Sequence, residues 1–318
     1  MRALQQALAT SLPGSEALID GGAPLEIESR SSEPPRVTSA RVIEGAALRA
    51  IRVEGDPDVH FAAFLDGTQR SQVLRYVSGF PVICGTVAAA IRERRDRRLV
   101  NWRRGPIVSR RVYAPKSVMS ADEWMRLEMT GIDVADSSEP DAATGESPAH
   151  PFAVVERARE LVQNHREAAE SALAGEWCAS EQEMLFMDGG IRGDDRVARS
   201  ACVAGVIKSH RTLYADGDAL RIVLSLGEGW RSSVFSVETG RRAPVLSWYL
   251  RLRSPKGRDP MWGLVRVEVS ADSEPASRAN AVSRWILAES SPLSAPDARW
   301  DKMAYGVRDV EQFLRALV

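Results

Sequence analysis

The chain has 318 residues, of which 44% are hydrophobic and 27% are charged, and large apolar residues occur along its whole length. This composition is typical of a globular protein and excludes global disorder, and no run of about 18 apolar residues indicates a membrane span. The 42 Lys and Arg nearly balance the 43 Asp and Glu, so a nucleic-acid partner would require a local basic surface.

The three cysteines, Cys84, Cys178 and Cys202, are odd in number and far apart. This pattern argues against a disulfide framework or a zinc ribbon. The first residues also lack a basic cluster followed by an apolar run, so no signal peptide is expected. We therefore expect a cytoplasmic protein without membrane association.

Residues 1–55 predict a short helix followed by a stretch rich in Pro, Ser and Gly, and we interpret them as an N-terminal appendage to a domain spanning 56–318. The first strong strand is expected over residues 60–67. Its apolar run ends in Asp66 and a glycine, a pair that favours a turn. Asp66 is therefore expected at the end of a strand.

Further strands are predicted at 71–91 and 105–114, which together could form an antiparallel meander. Residues 115–150 contain few large apolar residues after Met129 and are expected to form a flexible insertion. A helix is predicted over 152–177, because apolar residues recur there every three or four positions. The next strand, at 183–190, again ends in an Asp-Gly pair.

Later segments predict more strands, followed by helices at 275–289 and 303–318. The two Asp-Gly pairs, at Asp66 and Asp188, could place both carboxylates together if their strands are neighbours. Oxygen ligands of this kind suit Mg²⁺ and Mn²⁺, and two-metal phosphodiesterases hold such ions about 4 Å apart. Either pair alone is more often an ordinary turn signal.

The order of several motifs, spanning most of residues 60–318, resembles that of the NurA nuclease family. The motifs are FLDGTQRS at 64–71, REAAE at 166–170, LFMDGGI at 185–191, VAGVIKSH at 203–210, SWYLRLR at 247–253, LVRVEV at 264–269 and a closing WDKMAYGVRDVEQFLRAL. The resemblance implies an α/β fold of the RNase H-like type, with a mixed central sheet flanked by helices.

The same resemblance implies that Asp66, Glu170 and Asp188 hold Mn²⁺ or Mg²⁺, with Glu167 as the nearest rival to Glu170. Lys208 matches a family lysine that would stabilise the extra charge of the transition state. Its ordinary alternative is a surface lysine at the end of a strand.

The C-terminal segment departs from the family pattern. Tyr305 is followed by Gly rather than Pro, and no histidine follows His210, so a histidine-assisted step is in doubt. His210 itself is more often expected as a surface or packing residue. Asp309 or Glu311 could supply a fourth acidic group, or both could be exposed helix residues.

A stretch rich in arginine, with Trp102 and Tyr113 nearby, is a candidate surface for nucleic acid, because arginines bind phosphates and aromatic rings stack on bases. The alternative is a solvated hairpin partly neutralised by Glu93 and Asp96. A second basic cluster within 251–258 could line the same channel, but its Ser-Pro-Lys-Gly sequence also suits a plain hairpin turn. The candidate DNA-binding residues are Arg94, Arg95, Arg97, Arg98, Arg103 and Arg104.

We therefore expect a metal-dependent deoxyribonuclease. The resemblance also implies a homodimer, DNA end processing or phage defence, and a HerA-like hexameric ATPase as partner. The chain has no phosphate-binding G-x-x-x-x-G-K-[ST] loop of its own, so any ATP-driven step would come from another protein. One alternative is a catalytically weak subunit that binds DNA or assembles a complex. Another is a ribonuclease, because discrimination through the 2′-hydroxyl cannot be inferred from these motifs.

Overall fold

The computed structural model describes residues 2–17, 35–96, 98–103, 105–140, 145, 147–192, 195–239, 242–272, 274–290 and 304–318. Its helices are α1 (Arg2–Ser11), α2 (Ala121–Glu128), α3 (Pro151–Ser180), α4 (Asp195–Arg199), α5 (Gly217–Leu224), α6 (Pro275–Glu289) and α7 (Tyr305–Arg315). Its strands are β1 (Glu16–Ala17), β2 (Arg36–Val37), β3 (Arg41–Val42), β4 (Ala50–Arg52), β5 (Ala63–Val77), β6 (Phe80–Arg95), β7 (Arg98–Asn101), β8 (Ile107–Ala114), β9 (Val134–Asp136), β10 (Leu185–Asp188), β11 (Val203–Ile207), β12 (Thr212–Leu213), β13 (Trp230–Ser232), β14 (Phe235–Thr239), β15 (Arg242–Arg251) and β16 (Leu264–Ser270).

One large mixed sheet organises the described residues. Strand β5 lies near its middle, with β6 antiparallel on one side and β10 parallel on the other. Strand β8 continues the antiparallel side, β11 runs parallel to β10, and β16, β15 and β14 extend the sheet in antiparallel order. Helices cover both faces. The expected α/β class, a mixed central sheet flanked by helices, is confirmed.

The two faces of β5 pack against different helices, because successive side chains of a strand point to opposite sides. Leu65 is buried in one cluster with Leu173 and Trp177 of α3. Phe64 is buried in a second cluster with Val310 of α7 and with residues of α6. Helix α7 lies so close to β5 that a Cβ atom at Gly306 would overlap the Phe64 ring. The glycine thus sets the distance between the C-terminal helix and the sheet.

The expectation that a strand ends at Asp66 is wrong, because β5 continues to Val77. The chain reverses at Ser78 and Gly79, which have φ angles of 50° and 79°. Two consecutive positive φ angles favour a two-residue hairpin turn. The stretch 71–91, predicted as one strand, is therefore the two arms of the β5–β6 hairpin.

The segment 115–150 is predicted as a flexible insertion, but it contains helix α2 and strand β9. Ser120 and Glu123 form a capping box at the start of α2, which satisfies backbone N–H groups that would otherwise lack partners. Trp124 and Leu127 of this helix are buried, so packing against the rest of the domain holds the segment in place. Residues 141–144 and 146 lie outside the described part of the chain.

Short strands from the first 55 residues join the domain. Strand β3 pairs with β14, β4 pairs with β13, and β1 pairs with β5. Leu8 of helix α1 and Leu12, directly after it, pack into the cluster that holds Trp124. The division at residue 55 stays a prediction. None of the described helices has the length and apolarity needed to cross a membrane.

Candidate metal centre

Two aspartates meet where the parallel pairing of β5 and β10 stops. The register aligns Leu65 with Met187, so Asp66 and Asp188 are the next residues on their strands. Aligned residues of neighbouring strands point to the same face of a sheet. Both carboxylates therefore face the side covered by α6 and α7.

A third carboxylate comes from helix α7. One oxygen atom each of Asp66, Asp188 and Glu311 lies within 4.8 Å of the other two. The sequence leaves Asp309 and Glu311 as alternatives, and the structure separates them, because Asp309 accepts a hydrogen bond from Arg92 Nε at 2.8 Å. A helical carboxylate beside two strand carboxylates is a donor set of the kind that divalent cations prefer.

Glu170 reaches the same region from the opposite face of the sheet. It lies on α3, is 3% exposed, and forms an ion pair with Arg166. Its carboxylate sits directly over Gly67, where a Cβ atom would overlap it. Glu170 is therefore beside the centre, although it is not one of the three residues whose oxygen atoms converge. Its predicted rival Glu167 instead pairs with Arg192.

Burial, and then the neighbouring negative charges, disfavour the ionised forms of Asp66 and Glu170. Burial raises the pKa of the Asp66 carboxyl well above its usual range, and the neighbouring Asp188 and Glu170 raise it further, whereas Lys208 opposes them. Burial also raises the pKa of Glu170, with Asp188 adding to the effect and Arg166 opposing it. A cation bound among these groups would offset the repulsion, so the donor set fits a divalent metal on electrostatic grounds.

Lys208 follows the end of β11 and is close to the acidic group. Its Nζ atom donates to Asp188 Oδ2 at 2.9 Å, and its side chain is 26% exposed. Asp188 is aligned with Val206, and Lys208, two positions later, therefore lies on the same face. The predicted lysine thus lies within reach of anything bound at the carboxylates.

His210 contacts strands β15 and β16. Its Nε2 atom lies 2.9 Å from the Leu264 carbonyl oxygen, and its ring contacts Tyr249. This location agrees with the expectation of a packing residue.

A buried glutamate that the motifs did not single out holds the loop after β10. Glu268, on β16, is 1% exposed. Its Oε2 atom accepts from the backbone N–H of Ile191 at 2.9 Å, and its Oε1 atom accepts from Arg266 at 2.7 Å. Gly205 also allows this loop to approach, since a Cβ atom there would overlap the Gly189 carbonyl oxygen. The available signal is a charged residue within the apolar strand LVRVEV.

Most of the described arginines in the predicted DNA-binding stretch pair with carboxylates. Arg94 donates to Glu289 at 2.8 Å, Arg95 lies 2.8 Å from Glu93, and Arg103 lies 3.6 Å from Glu181. Arg98 is exposed on β7. Arg97 and Arg104 lie outside the described residues. A role of this stretch in binding DNA stays a prediction, and much of its charge is offset locally.

We expect Gly67→Ala to destabilise the protein, because the added methyl group would have to displace the buried Glu170 carboxylate. Overpacking of this kind costs about 1–3 kcal/mol. The free energy of unfolding is measured from urea titrations followed by circular dichroism.

Gly175→Ala is the matched control for that substitution. Gly175 lies on the same helix as Glu170, and no atom lies within 4 Å of a Cβ built on it. Alanine favours a helix over glycine by about 1 kcal/mol, so this variant should be at least as stable as the parent. Equal stability of the two variants would contradict the close packing of Gly67 against Glu170.

No protein-family model and no curated protein matches the sequence. Among solved structures, the chain is similar to the crystal structure of the NurA nuclease from Sulfolobus solfataricus, with a TM-score of 0.44 and 10% sequence identity. The superposition covers 87% of this chain and 81% of that one. At this level of similarity, the chemistry of this chain has to be derived from its own residues.

Proposed function

We propose that this chain is a divalent-metal-dependent nuclease that hydrolyses phosphodiester bonds in DNA. The observation that carries the proposal is the convergence of Asp66, Asp188 and Glu311, with carboxylate oxygens within 4.8 Å of one another. Lys208, at 2.9 Å from Asp188, adds the cationic group that phosphoryl chemistry uses.

Asp66, Asp188 and Glu311 are the residues proposed to hold the metal, with Glu170 beside them. When bound, Mn²⁺ or Mg²⁺ supplies a Lewis acid that activates water and stabilises negative charge on the phosphate. Carboxylates suit both ions, because hard cations prefer oxygen ligands.

The chain's own residues have distinct parts in this proposal. Arg166 holds the Glu170 carboxylate through its ion pair, so that Glu170 keeps one position behind Gly67. Lys208 places an ammonium group where charge increases on the phosphate, and a group positioned in advance needs no reorganisation during the reaction. Glu268 fixes the loop that follows Asp188 through the N–H of Ile191.

The test is cleavage of labelled single-stranded and duplex DNA with Mn²⁺, Mg²⁺ or EDTA. We expect cutting only with a metal and its loss in Asp188→Ala. Metal-independent cutting, or full cutting by that variant, would refute the mechanism. If the chain binds Mn²⁺ in calorimetry and binds DNA without cutting it, the alternative of a catalytically weak binding subunit replaces the proposal. RNA of the same sequence tests the ribonuclease alternative.

The homodimer and the HerA-like hexameric ATPase belong to the proposal as partners. Both derive from the family resemblance of the sequence motifs. Sedimentation of the purified chain tests the dimer, and co-purification with a co-expressed HerA-like ATPase tests the second partner. A monomer that sediments alone in the presence of such an ATPase would refute both expectations.

A further inference from the structure

Two exposed arginines lie on the same face of the sheet as Asp66. Along β5, Asp66, Thr68 and Arg70 alternate with residues that face α3, so their side chains share one side. Arg70 is aligned with Thr86 of β6, and Thr86 is aligned with Arg110 of β8. Arg110 Nε donates to Thr86 Oγ1 at 3.3 Å, which places Arg110 on this face as well.

These arginines differ from those of the stretch singled out in the sequence. Arg70 and Arg110 are both exposed, and neither forms an ion pair with a carboxylate of the described residues. Arg94, Arg95 and Arg103, by contrast, each lie close to a glutamate. An arginine without a local carboxylate keeps its charge available for phosphate oxygens.

Helices border the row formed by Arg70, Thr86 and Arg110 on two sides. On β6, Ala88 packs in the cluster that contains Val310 of α7. Four residues earlier, Cys84 packs in the cluster of α1 and α2. Four residues of a strand span about 13 Å. The gap between the helix-covered positions Ala88 and Cys84 is therefore narrow. It suits one polynucleotide strand better than a double helix.

The position of this gap relative to the carboxylates indicates the path that a bound strand would take. Arg70 is four residues beyond Asp66 on β5 and so lies about 13 Å from it along the strand. A backbone that leaves the acidic centre along β5 reaches Arg70 first and then, across β6, Arg110. Thr68 lies between Asp66 and Arg70, where its hydroxyl can donate to a phosphate oxygen.

We propose that Arg70 and Arg110, with Thr68 between Arg70 and Asp66, bind the phosphate backbone of a single nucleic-acid strand that leads to the acidic centre. The inference rests on the proposed nuclease function, since it supplies the path of the substrate. Backbone contacts of this kind are independent of base sequence.

The test is binding of a fluorescein-labelled oligothymidylate, followed by fluorescence anisotropy in EDTA so that no cleavage occurs. In the double variant Arg70→Gln/Arg110→Gln we expect about tenfold weaker binding or more at low salt. The slope of log affinity against log salt should fall by about 0.7 for each phosphate of the single strand that the variant no longer neutralises. Arg70→Lys/Arg110→Lys keeps both charges and should restore most of the slope.

The control for net charge is Arg41→Gln/Arg221→Gln, which removes the same charge from two exposed arginines outside the gap that each pair with a carboxylate. Strand β3, which carries Arg41, lies at the opposite end of the sheet from β8. This control should bind like the parent. An equal decrease in affinity in both double variants would mean that net charge alone explains the effect, and it would overturn the proposal.

Two further outcomes also overturn it. Duplex DNA that binds as tightly as the single strand, with the same dependence on both arginines, would remove the assignment to one strand. A smaller salt slope in Arg98→Gln, but not in the double variant, would move the phosphate-binding position to β7.

The outcomes distinguish a failure of the proposed phosphate-binding surface from a failure of the proposed nuclease function. If the parent chain never cuts DNA but its binding depends on the two arginines, the nuclease function fails and the surface stands. If the arginine variant binds normally while Asp188→Ala abolishes metal-dependent cutting, the surface fails and the nuclease stands.

Discussion

Asp66→Asn should abolish metal-dependent cleavage and, in EDTA, make the protein more stable than the parent. A bound metal stabilises charge in the transition state by several kcal/mol, and Asp66 is one of its proposed ligands. Loss of this ligand should therefore lower the cleavage rate by about 10³-fold or more. The amide is nearly isosteric, and its oxygen can still accept the hydrogen bond that Gly67 N–H donates to Asp66 at 2.8 Å. Folding should therefore be preserved.

The gain in stability follows from the raised pKa of the Asp66 carboxyl, which burial causes first and the charges of Asp188 and Glu170 increase. At a pH below the ordinary carboxyl pKa of 3.8, the side chain is protonated in both the folded and the unfolded chain, so it does not lower the free energy of unfolding. As the pH rises through that value, only the unfolded chain releases the proton, so the folded state loses stability until the pH passes the raised pKa. Asparagine cannot ionise and avoids this loss.

Thermal unfolding in EDTA measures the effect. Single stabilising substitutions commonly gain about 0.5–2 kcal/mol, and each kcal/mol raises Tm by about 1.5 °C in a chain of this length. The gain should be present at neutral pH and should vanish near the ordinary pKa of the carboxyl. Mn²⁺ should raise the Tm of the parent but not of the variant, because only the intact site binds the metal.

Asp56→Asn serves as the control, since Asp56 is exposed in a loop. A surface substitution of this kind should change stability by less than about 0.5 kcal/mol. If Asp66→Asn were less stable than the parent at neutral pH, the electrostatic account of the centre would be wrong.

Glu311→Gln should weaken Mn²⁺ binding strongly, whereas Asp309→Asn on the same helix should not. The carboxylate of Glu311 lies within 4.8 Å of those of Asp66 and Asp188, whereas Asp309 is held by Arg92. Loss of a charged ligand or of its support commonly lowers metal affinity by about 10- to 100-fold. Isothermal titration calorimetry with Mn²⁺ measures the difference directly.

The two substitutions make the same chemical change two positions apart, so a general effect on α7 would appear in both. Circular dichroism should show both variants folded, with a small loss of stability for Asp309→Asn from its partly exposed ion pair. The opposite ranking, with Mn²⁺ binding abolished only in Asp309→Asn, would move the third ligand to Asp309 and contradict the proposed centre.

The fold was predictable in its main elements because its signals are local. The apolar runs before Asp66 and Asp188 and the helical spacing over 152–177 indicated β5, β10 and α3 in the right order. The prediction failed where the decisive cause lay elsewhere in the chain. The Asp66-Gly67 pair looks like a turn, but Gly67 is required by the Glu170 carboxylate above it, and the actual turn lies at Ser78 and Gly79.

The possible chemistry could be inferred from the residues themselves: two apolar runs followed by aspartate and glycine, a helical glutamate, a lysine after a later strand and an α/β succession of elements. Only the tertiary structure decided which groups meet. Glu311 rather than Asp309 lies beside the two aspartates. Arg70 and Arg110 lie on the same face of the sheet as Asp66, whereas Arg94 pairs with Glu289. The physical reason is that carboxylate clustering and charge pairing depend on distances between residues remote in the chain, which register and helix packing set.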